Sequence, residues 1–264
     1  MHSLVRDFDV AAADIAATID ASGCACIPNV VSHEWLGSAS MSVAGYLPLT
    51  GDNELFIIDP AADRDSVAHQ FVADHRIQSL LESVAAAGYP TVDAENLSTE
   101  NELRIVVGSP MAEPQWLHYD GPVVTMVVPI IIPRGAPGTS GELILWPNRR
   151  PYRRLVITNI VEKFICQSGL YRKWFVRRHG GDPDAVIVPL QPGNIYLFWG
   201  YRSYHATLPV APGAVRATLI LHDGAVYGRS PLLSTAKSVN QHIRAWRGKA
   251  NTVRPNDVTV PTAA

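Results

Sequence analysis

Three residues that can bind a metal ion are placed where one fold element could bring two of them together. His118 and Asp120 stand two positions apart in the run WLHYD, and residues two apart on a β-strand point to the same face. A second imidazole, His205, lies in the run SYHATLPV. Two imidazoles and one carboxylate form the donor set that holds non-haem Fe(II) and leaves coordination positions open on one side. An H-x-D pattern arises easily by chance, so its context must support the interpretation.

A cationic residue, Arg216, follows the three metal-binding candidates in the sequence. Arg216 comes eleven positions after His205 and two before Thr218, so a regular strand directs Arg216 and Thr218 to one face. A guanidinium beside a hydroxyl is suited to bind the far carboxylate of a keto acid held at the metal. Arg104 and Thr125 are further candidates to hold the keto acid if they face the interior, and a structural role is the alternative for both.

Eight short apolar or alternating runs must position these residues. Turn-forming sequences such as Gly-Thr-Ser-Gly and Gln-Pro-Gly-Asn separate most of them, which favours strands joined by turns. Eight short strands that follow helices predict an antiparallel jelly-roll barrel with helices packed outside. The runs span residues 103–108, 116–120, 123–132, 142–147, 185–190, 194–199, 203–210 and 215–222.

Helical periodicity dominates the N-terminal third and returns near the C-terminus. Gly23 is a good stop for the first helix, and Ser32 is a good N-cap for the second. A short strand is expected between them, in the run CACIPNVV, and residues from about 250 lack periodicity. The predicted helices span residues 9–22, about 32–46, 74–87 and 231–246.

A basic segment interrupts the strand series at residues 148–184, between the fourth and fifth strands, and a helix is expected there at about 160–178. Residues 148–180 contain nine Lys or Arg and one acid, a net +8, so the rest of the chain carries −10. A solvated helix face and a lid that offers arginines to an anionic or carrier-bound substrate are the two interpretations. Its aromatic residues also permit base stacking, but an overall charge of −2 argues against nucleic acid as the main partner.

The composition excludes several classes of protein. With 47% hydrophobic and 17% charged residues, the chain is not intrinsically disordered. Its longest apolar run, 123–133, is too short to span a membrane, and Asp7 and Asp9 interrupt any signal peptide. Three cysteines imply no disulfide framework, so a cytoplasmic location without membrane contact is expected. No GxGxxG, GxxxxGK[ST], GxSxG or HExxH motif is present.

The motifs together resemble a known enzyme superfamily. An H-x-D, a Gly-Glu-Leu strand, Pro-Gly-Asn-Ile-Tyr-Leu-Phe and then H-A-T-L-P-V-x-x-G-x-x-R-x-T are similar to the Fe(II)/2-oxoglutarate-dependent oxygenases. Within them, the chain most resembles the prolyl-4-hydroxylase-like and phytanoyl-CoA-hydroxylase-like branches. The resemblance covers about residues 103–224. The interval of 85 positions between Asp120 and His205 is long for this pattern, and the basic segment accounts for it.

This resemblance implies a fold and a domain organisation. The expected fold is mainly β with α: a double-stranded β-helix, or cupin-like jelly-roll barrel, with N-terminal helices outside and a helical insert between the fourth and fifth barrel strands. One oxygenase domain is expected over residues 1–264. Its parts are a helical support (1–102), the jelly-roll core (103–224, with the insert 148–184) and a C-terminal helix and tail (225–264).

The resemblance also implies roles for the candidate residues. His118, Asp120 and His205 would hold Fe(II), 2-oxoglutarate would chelate the metal, and Arg216 would pair with the far carboxylate. O2 would be consumed, with succinate and CO2 released as a C–H bond is oxidised. Halogenating relatives carry a small residue in place of the carboxylate, so Asp120 favours hydroxylation, desaturation or ring closure. Hydroxylation of a small molecule, for example in specialised metabolism, is the leading expectation.

Two other functions stay open at the level of sequence. One is an oxygenase that acts on nucleic acid or protein side chains and docks them through the basic segment. The other is a catalytically silent barrel that binds metal or ligand. A satisfied polar cluster is the alternative interpretation of the metal triad, and a salt bridge on the strand face is the alternative for Arg216. The sequence predicts neither the identity of the substrate nor the oligomeric state.

Overall fold

The structure, a computed structural model, describes residues 5–6, 8–50, 54–89, 99–109, 117–153, 155–227 and 251–255. Ten strands and six helices are defined there, with short 3-10 helices at Leu47–Leu49 and Pro60–Ala62. The strands are β1 (Ala25–Ile27), β2 (Glu54–Ile58), β3 (Glu100–Val107), β4 (Pro122–Ile131), β5 (Leu143–Trp146), β6 (Val186–Val188), β7 (Ile195–Phe198), β8 (Tyr204–Thr207), β9 (Val215–Ala225) and β10 (Asn251–Val253). The helices are α1 (Ala12–Ser22), α2 (His33–Tyr46), α3 (Val67–Val72), α4 (His75–Gly88), α5 (Val156–Cys166) and α6 (Gly169–His179).

Two sheets form the centre of the described structure. The large sheet has the strand order β1-β7-β4-β9-β3-β2-β10, and the small sheet has the order β6-β5-β8. All pairings are antiparallel except that of β10 with β2. Strands β1 to β4 lie in the large sheet and β5 and β6 in the small sheet. The chain then returns to the large sheet for β7, to the small sheet for β8, and to the large sheet for β9 and β10. This mixed fold with a large antiparallel sheet agrees with the predicted jelly roll.

The N-terminal helices cover the outer face of the large sheet. Apolar residues of these helices, including Ile19 of α1, Trp35 of α2 and Leu81 of α4, share one buried core with alternate residues of the central strands. The other face of the large sheet points towards the small sheet and forms a separate cluster with it, which includes Val127, Tyr196 and Phe198 in its centre. The barrel interior therefore lies between the two sheets.

Strand β9 shows the consequence of this layering most clearly. It is buried along most of its length, yet its residues alternate in polarity. Ala217, Leu219 and Leu221 join the core beneath the helices. Because alternate side chains of a strand point to opposite faces, the intervening positions are directed into the barrel. The polar residues at those interior positions are Arg216, Thr218 and His222.

The predicted helix signals are confirmed in the N-terminal part. Gly23 ends α1 with a φ of 86°, and its N–H donates to the carbonyl of Ile19 at 2.8 Å. The hydroxyl of Ser32 accepts a hydrogen bond from the N–H of Trp35 at 3.1 Å and so caps α2. Asp74 caps α4 in the same way, accepting from the N–H of Arg76 at 2.9 Å.

Several predicted boundaries were wrong. In the described part of the run 116–120, His118 forms only an isolated bridge and no strand. The helix expected at 160–178 is two helices, because Ser168 interrupts it and caps α6 by accepting from the N–H of Tyr171. Residues just after 250 do contain a strand, β10.

Two further elements, β2 and α3, were not predicted at all, and the helix predicted at 231–246 lies outside the described residues. In the described part of the chain, no helix has the length and apolarity needed to cross a membrane.

Asp223 is a buried carboxylate on the helix side of β9, and we expect its replacement to stabilise the protein. It is 1% exposed, and its Oδ2 has no hydrogen-bond partner among the described residues. Burial, with a smaller contribution from Glu82, raises its pKa from 3.8 to about 6. The folded chain therefore favours the protonated form of Asp223 more than the unfolded chain does. The free energy of unfolding falls as the pH rises from about 4 to 6. Asp223→Asn should raise the free energy of unfolding at pH 7.5 by about 2–3 kcal/mol.

Urea denaturation at pH 4 and pH 7.5 checks this expectation. The gain should be small at pH 4, where the wild-type carboxyl is largely protonated. Asp65→Asn is the control, because Asp65 is exposed and its replacement should change stability little at either pH. An equal effect of Asp223→Asn at both pH values would show that the charge of Asp223 is not the cause.

Candidate metal centre and anion pocket

His118, Asp120 and His205 meet at one point between the two sheets. The Nε2 atom of His118 lies 3.4 Å from Oδ1 of Asp120, and Nε2 of His205 lies 3.4 Å from Oδ2 of the same carboxylate. One donor atom from each residue can be chosen so that all three lie within 4.8 Å of one another. Asp120 and His205 are buried, whereas His118 is 24% exposed. The cluster is therefore open to solvent on the His118 side.

The backbone fixes this convergence. His118 and His205 exchange two hydrogen bonds, each N–H donating to the other carbonyl at 3.0 Å, so His118 lies beside β8 as a bridge at the edge of the small sheet. Two residues further, the N–H of Asp120 donates to the carbonyl of Gly200 at 2.9 Å. Leu117 and Tyr119 point the other way, into an apolar cluster. The side chains of residues 117–120 therefore alternate between two faces as in a strand, although only His118 is paired with β8.

The protonation states suit a metal ion. The Nδ1 atom of His205 lies 3.0 Å from the carbonyl of Ser203, which must accept a hydrogen bond and therefore leaves Nε2 with its lone pair. Burial lowers the pKa of His205 to about 4 and outweighs the attraction of Asp120, so the ring is neutral at pH 7. Burial alone would raise the pKa of Asp120, but the imidazoles of His205, His222 and His118 hold it well below its usual range.

A second layer holds the carboxylate of Asp120. The hydroxyl of Thr125 donates to Oδ2 of Asp120 at 2.6 Å and lies 3.1 Å from Nδ1 of His222. Thr125 and His222 are opposite each other in the β4–β9 pairing. Gly200 lies against the same carboxylate, since a Cβ at this position would lie 2.4 Å from Oδ2 of Asp120 and 2.2 Å from the Thr125 hydroxyl.

Arg216 is a buried cation without a matching anion. It is 2% exposed, its Nε donates to the carbonyl of Gly141 at 2.8 Å, and its Nη1 donates to the hydroxyl of Thr218 at 3.2 Å. No carboxylate forms an ion pair with it among the described residues. Burial, together with the charge of Arg104, lowers its pKa to about 9. A buried charge of this kind is stabilised by an anionic ligand.

Arg104 connects this cation to the metal cluster. It stands opposite Thr218 in the β3–β9 pairing, forms an ion pair with Glu54 and donates from Nη1 to the hydroxyl of Thr207 at 3.0 Å. Thr207 follows His205 by two positions on β8 and therefore points to the same face. The arginines and the triad consequently line one continuous interior.

The structure thus brings His118, Asp120 and His205 together and places Arg216, Thr218 and Arg104 in one pocket. Thr125 lies against Asp120 instead of beside Arg216. Sequence reasoning missed His222, which lies 3.8 Å from Oδ2 of Asp120 through its Nδ1 atom. The available signal was its position six residues after Arg216 on one predicted strand, which directs both side chains to the same face. Ser203 and Gly200 carried no such signal, because they act through their backbone or through the lack of a side chain.

Gly200 generates a specific expectation about packing. A methyl group at this position must displace the Asp120 carboxylate or the Thr125 hydroxyl, so Gly200→Ala should lower the free energy of unfolding by about 1–3 kcal/mol. Gly169→Ala is the matched control, because nothing lies within 4 Å of its Cβ position at the start of α6. Urea denaturation of both variants checks the expectation. A Gly200→Ala variant as stable as Gly169→Ala would contradict the close contact.

Comparison with known proteins identifies the fold. No family model matches the chain, and no curated protein matches it in sequence. Among solved structures, a Pseudomonas putida prolyl-4-hydroxylase aligns with a TM-score of 0.51 and 12% identity, over 81% of this chain and 98% of that one.

Two further solved structures align as well. The epimerase SnoN from nogalamycin biosynthesis, in complex with Fe3+, alpha ketoglutarate and nogalamycin RO, has a TM-score of 0.57 and 16% identity, over 81% of this chain and 83% of that one. HygX from Streptomyces hygroscopicus, with nickel, 2-oxoglutarate and hygromycin B bound, has a TM-score of 0.54 and 13% identity, over 81% and 87%. The chain therefore has the fold of the Fe(II)/2-oxoglutarate-dependent oxygenases, as its motifs predict.

Proposed function

We propose that the protein is a non-haem iron, 2-oxoglutarate-dependent dioxygenase that oxidises, by default hydroxylates, a C–H bond of a small molecule. The observation that carries the proposal is the pairing of two features in one interior. A His-Asp-His cluster is open on one side, and a buried arginine beside it has no carboxylate partner among the described residues. A metal ion fits the first feature, and the carboxylate of a keto acid fits the second.

The donor set is prepared for Fe(II). The ionised Asp120 and the neutral ring of His205 need lose no proton before they bind a metal ion. The carbonyl of Ser203 fixes the tautomer of His205, and Thr125 restrains the Asp120 carboxylate. His118, Asp120 and His205 would hold Fe(II), and a donor set of three residues leaves coordination positions for the co-substrates.

The arginine pocket orients 2-oxoglutarate. Arg216 and Thr218 bind its far carboxylate, and Gly141 leaves the space that the Arg216 side chain needs. Arg104, paired with Glu54, lies opposite Thr218 on the neighbouring strand and borders the pocket. Thr125, first considered for the same role, acts through Asp120. Bound Fe(II) would supply the oxidising chemistry, in which 2-oxoglutarate and O2 are converted to succinate and CO2, with one oxygen atom of O2 entering succinate and the other the substrate C–H bond. The residues of the chain supply orientation and exclude water.

The proposal extends to the organisation of the chain. We assign residues 1–264 to a single oxygenase domain, with a helical support (1–102), a double-stranded β-helix (103–224) and a C-terminal part (225–264). Helices α5 and α6 belong to an insert, residues 148–184, between the fourth and fifth barrel strands. Their position between β5 and β6 in the chain supports this assignment.

A small molecule is the favoured substrate class because SnoN and HygX, which share the fold, were solved with nogalamycin RO and hygromycin B. A protein side chain is the second candidate, since a prolyl-4-hydroxylase shares the fold at a similar level. The basic insert would then serve as the docking surface for the peptide.

Anaerobic titration with Fe(II), with and without 2-oxoglutarate, tests the cofactor assignment without knowledge of the substrate. We expect a visible charge-transfer band only when both are present. His205→Ala should abolish the band by removing a ligand. Arg216→Ala should weaken 2-oxoglutarate binding by about 30–1000-fold, as expected for truncation of one partner of a buried charge pair.

Arg177→Ala is the matched control for Arg216→Ala, because Arg177 is exposed on α6. Its titration should match that of the wild type. If iron binds but no band forms, the keto-acid assignment is wrong. If iron does not bind, the cluster is structural and the enzyme assignment fails with it.

Succinate release distinguishes the substrate classes. We expect 2-oxoglutarate turnover to be stimulated at least about tenfold by a member of a panel of polyhydroxylated and polycyclic small molecules, and not by proline-containing peptides or by RNA. Stimulation by peptides alone would favour the second candidate. Steeply salt-dependent binding to RNA or DNA would instead indicate a nucleic-acid substrate.

A further inference from the structure

The segment that carries the H-x-D motif has an unusual support. Among the described residues 117–120, only His118 forms a bridge to β8, so the carbonyls of Leu117 and Asp120 are not held by a regular ladder. A carbonyl near the barrel wall needs a donor. Two arginines of the basic insert supply these donors: Arg150 donates from Nη2 to the carbonyl of Asp120 at 3.2 Å, and Arg172 donates from Nε to the carbonyl of Leu117 at 3.1 Å.

Arg150 is held rigidly in its own place. Its side chain is 2% exposed, and its guanidinium lies between the rings of Tyr119 and Tyr201, 4.3 and 4.0 Å from their centroids. Its Nε also donates to the carbonyl of Tyr201. Helix α5 provides the remaining partners, since Nη1 donates to Asn159 at 3.0 Å and to Glu162 at 3.3 Å. Arg150 therefore joins helix α5 to the peptide of Asp120.

Helix α6 supports the other end of the segment. Arg172 lies on α6, and the same helix packs Phe175 against the outer face of the small sheet, with ring contacts to Trp146 and Tyr204. Leu117 and Tyr119 belong to this cluster. The outward-pointing residues of the motif are thus embedded in the insert, whereas His118 and Asp120 point inward.

We propose that Arg150 and Arg172 are positioning residues for the metal centre and that the basic insert forms part of its supporting shell. The carbonyls that they hold flank both ligands of the H-x-D motif. Small shifts of these peptides would turn the His118 ring and the Asp120 carboxylate away from the position that His205 fixes on β8. This inference rests on the proposed function, because it assigns the cluster a metal.

Titration of the metal-free full-length protein with Co(II), followed by its visible ligand-field bands, tests the proposal without catalysis. Arg150→Lys keeps the charge but loses the planar fork, and Arg172→Ala removes the donor to Leu117. Each should weaken Co(II) binding by about 10–100-fold, the usual effect of losing an outer partner of a metal ligand. Arg150→Lys should also change the band shape, since the carboxylate is reoriented.

Two matched controls carry the same charge as Arg150 and Arg172 but donate to neither carbonyl of the H-x-D segment. Arg153→Lys alters the other arginine that binds Glu162, at 2.7 Å, and Lys173→Ala removes the neighbouring positive charge from the exposed side of α6. Both should bind Co(II) within about twofold of the wild type. Thermal unfolding of each metal-free variant reports any loss of folding. Arg172→Ala, at a half-buried position, keeps the test available if Arg150→Lys fails to fold.

The outcomes separate this inference from the proposed function. If the wild type binds Co(II), His205→Ala does not, and the two arginine variants bind weakly while folded, the inference is supported. If the folded arginine variants bind as tightly as the wild type, the arginines are only structural and the inference is overturned, while the proposed function stands. If the wild type itself does not bind Co(II), both are overturned.

Discussion

The centre of this protein depends on one buried carboxylate that must remain charged. Burial of Asp120 by itself raises its pKa, and the surrounding imidazoles outweigh this effect. The Thr125 hydroxyl also donates a hydrogen bond to the carboxylate. That balance requires close approach on every side. Gly200 lets the Asp120 carboxylate approach closely because it has no side chain. The β8 backbone holds His205 against the ring of His118, so both imidazoles stay near the carboxylate. The layered sheets are therefore what brings these groups within reach of one another.

The second buried charge is balanced differently. Arg216 donates to two neutral acceptors, the carbonyl of Gly141 and the hydroxyl of Thr218. Burial, aided by the charge of Arg104, lowers its pKa more than Glu54 and Glu142 raise it. The carboxylate centre holds its charge with residues of the chain, whereas the arginine pocket relies on a ligand for compensation. An interior with these two opposite arrangements side by side is suited to a cation and a dicarboxylate that bind together.

Much of this was predictable from residue types and spacing. The alternation of β9, the N-cap at Ser32 and the stop at Gly23 are local signals, and they located the strand, the helix ends and the inward position of Arg216. The motif at His118 predicted the face correctly but the strand wrongly, because ladder length depends on partners elsewhere in the chain. Arg150 illustrates the remaining limit: a charge run predicts a solvated surface, and only the tertiary structure shows one of its members to be buried.

The pairing of β10 with β2 has a consequence for how the chain can change over evolutionary time. β2 carries Glu54, the partner of Arg104, and β10 covers the edge that β2 would otherwise leave open. The pairing itself uses main-chain groups, but Val253 also packs against the large core, so that position needs an apolar residue. Loss of residues 251–253 would uncover the strand that borders the anion pocket. Selection at this pairing therefore acts more on the presence of a strand than on the identity of its side chains, position 253 excepted.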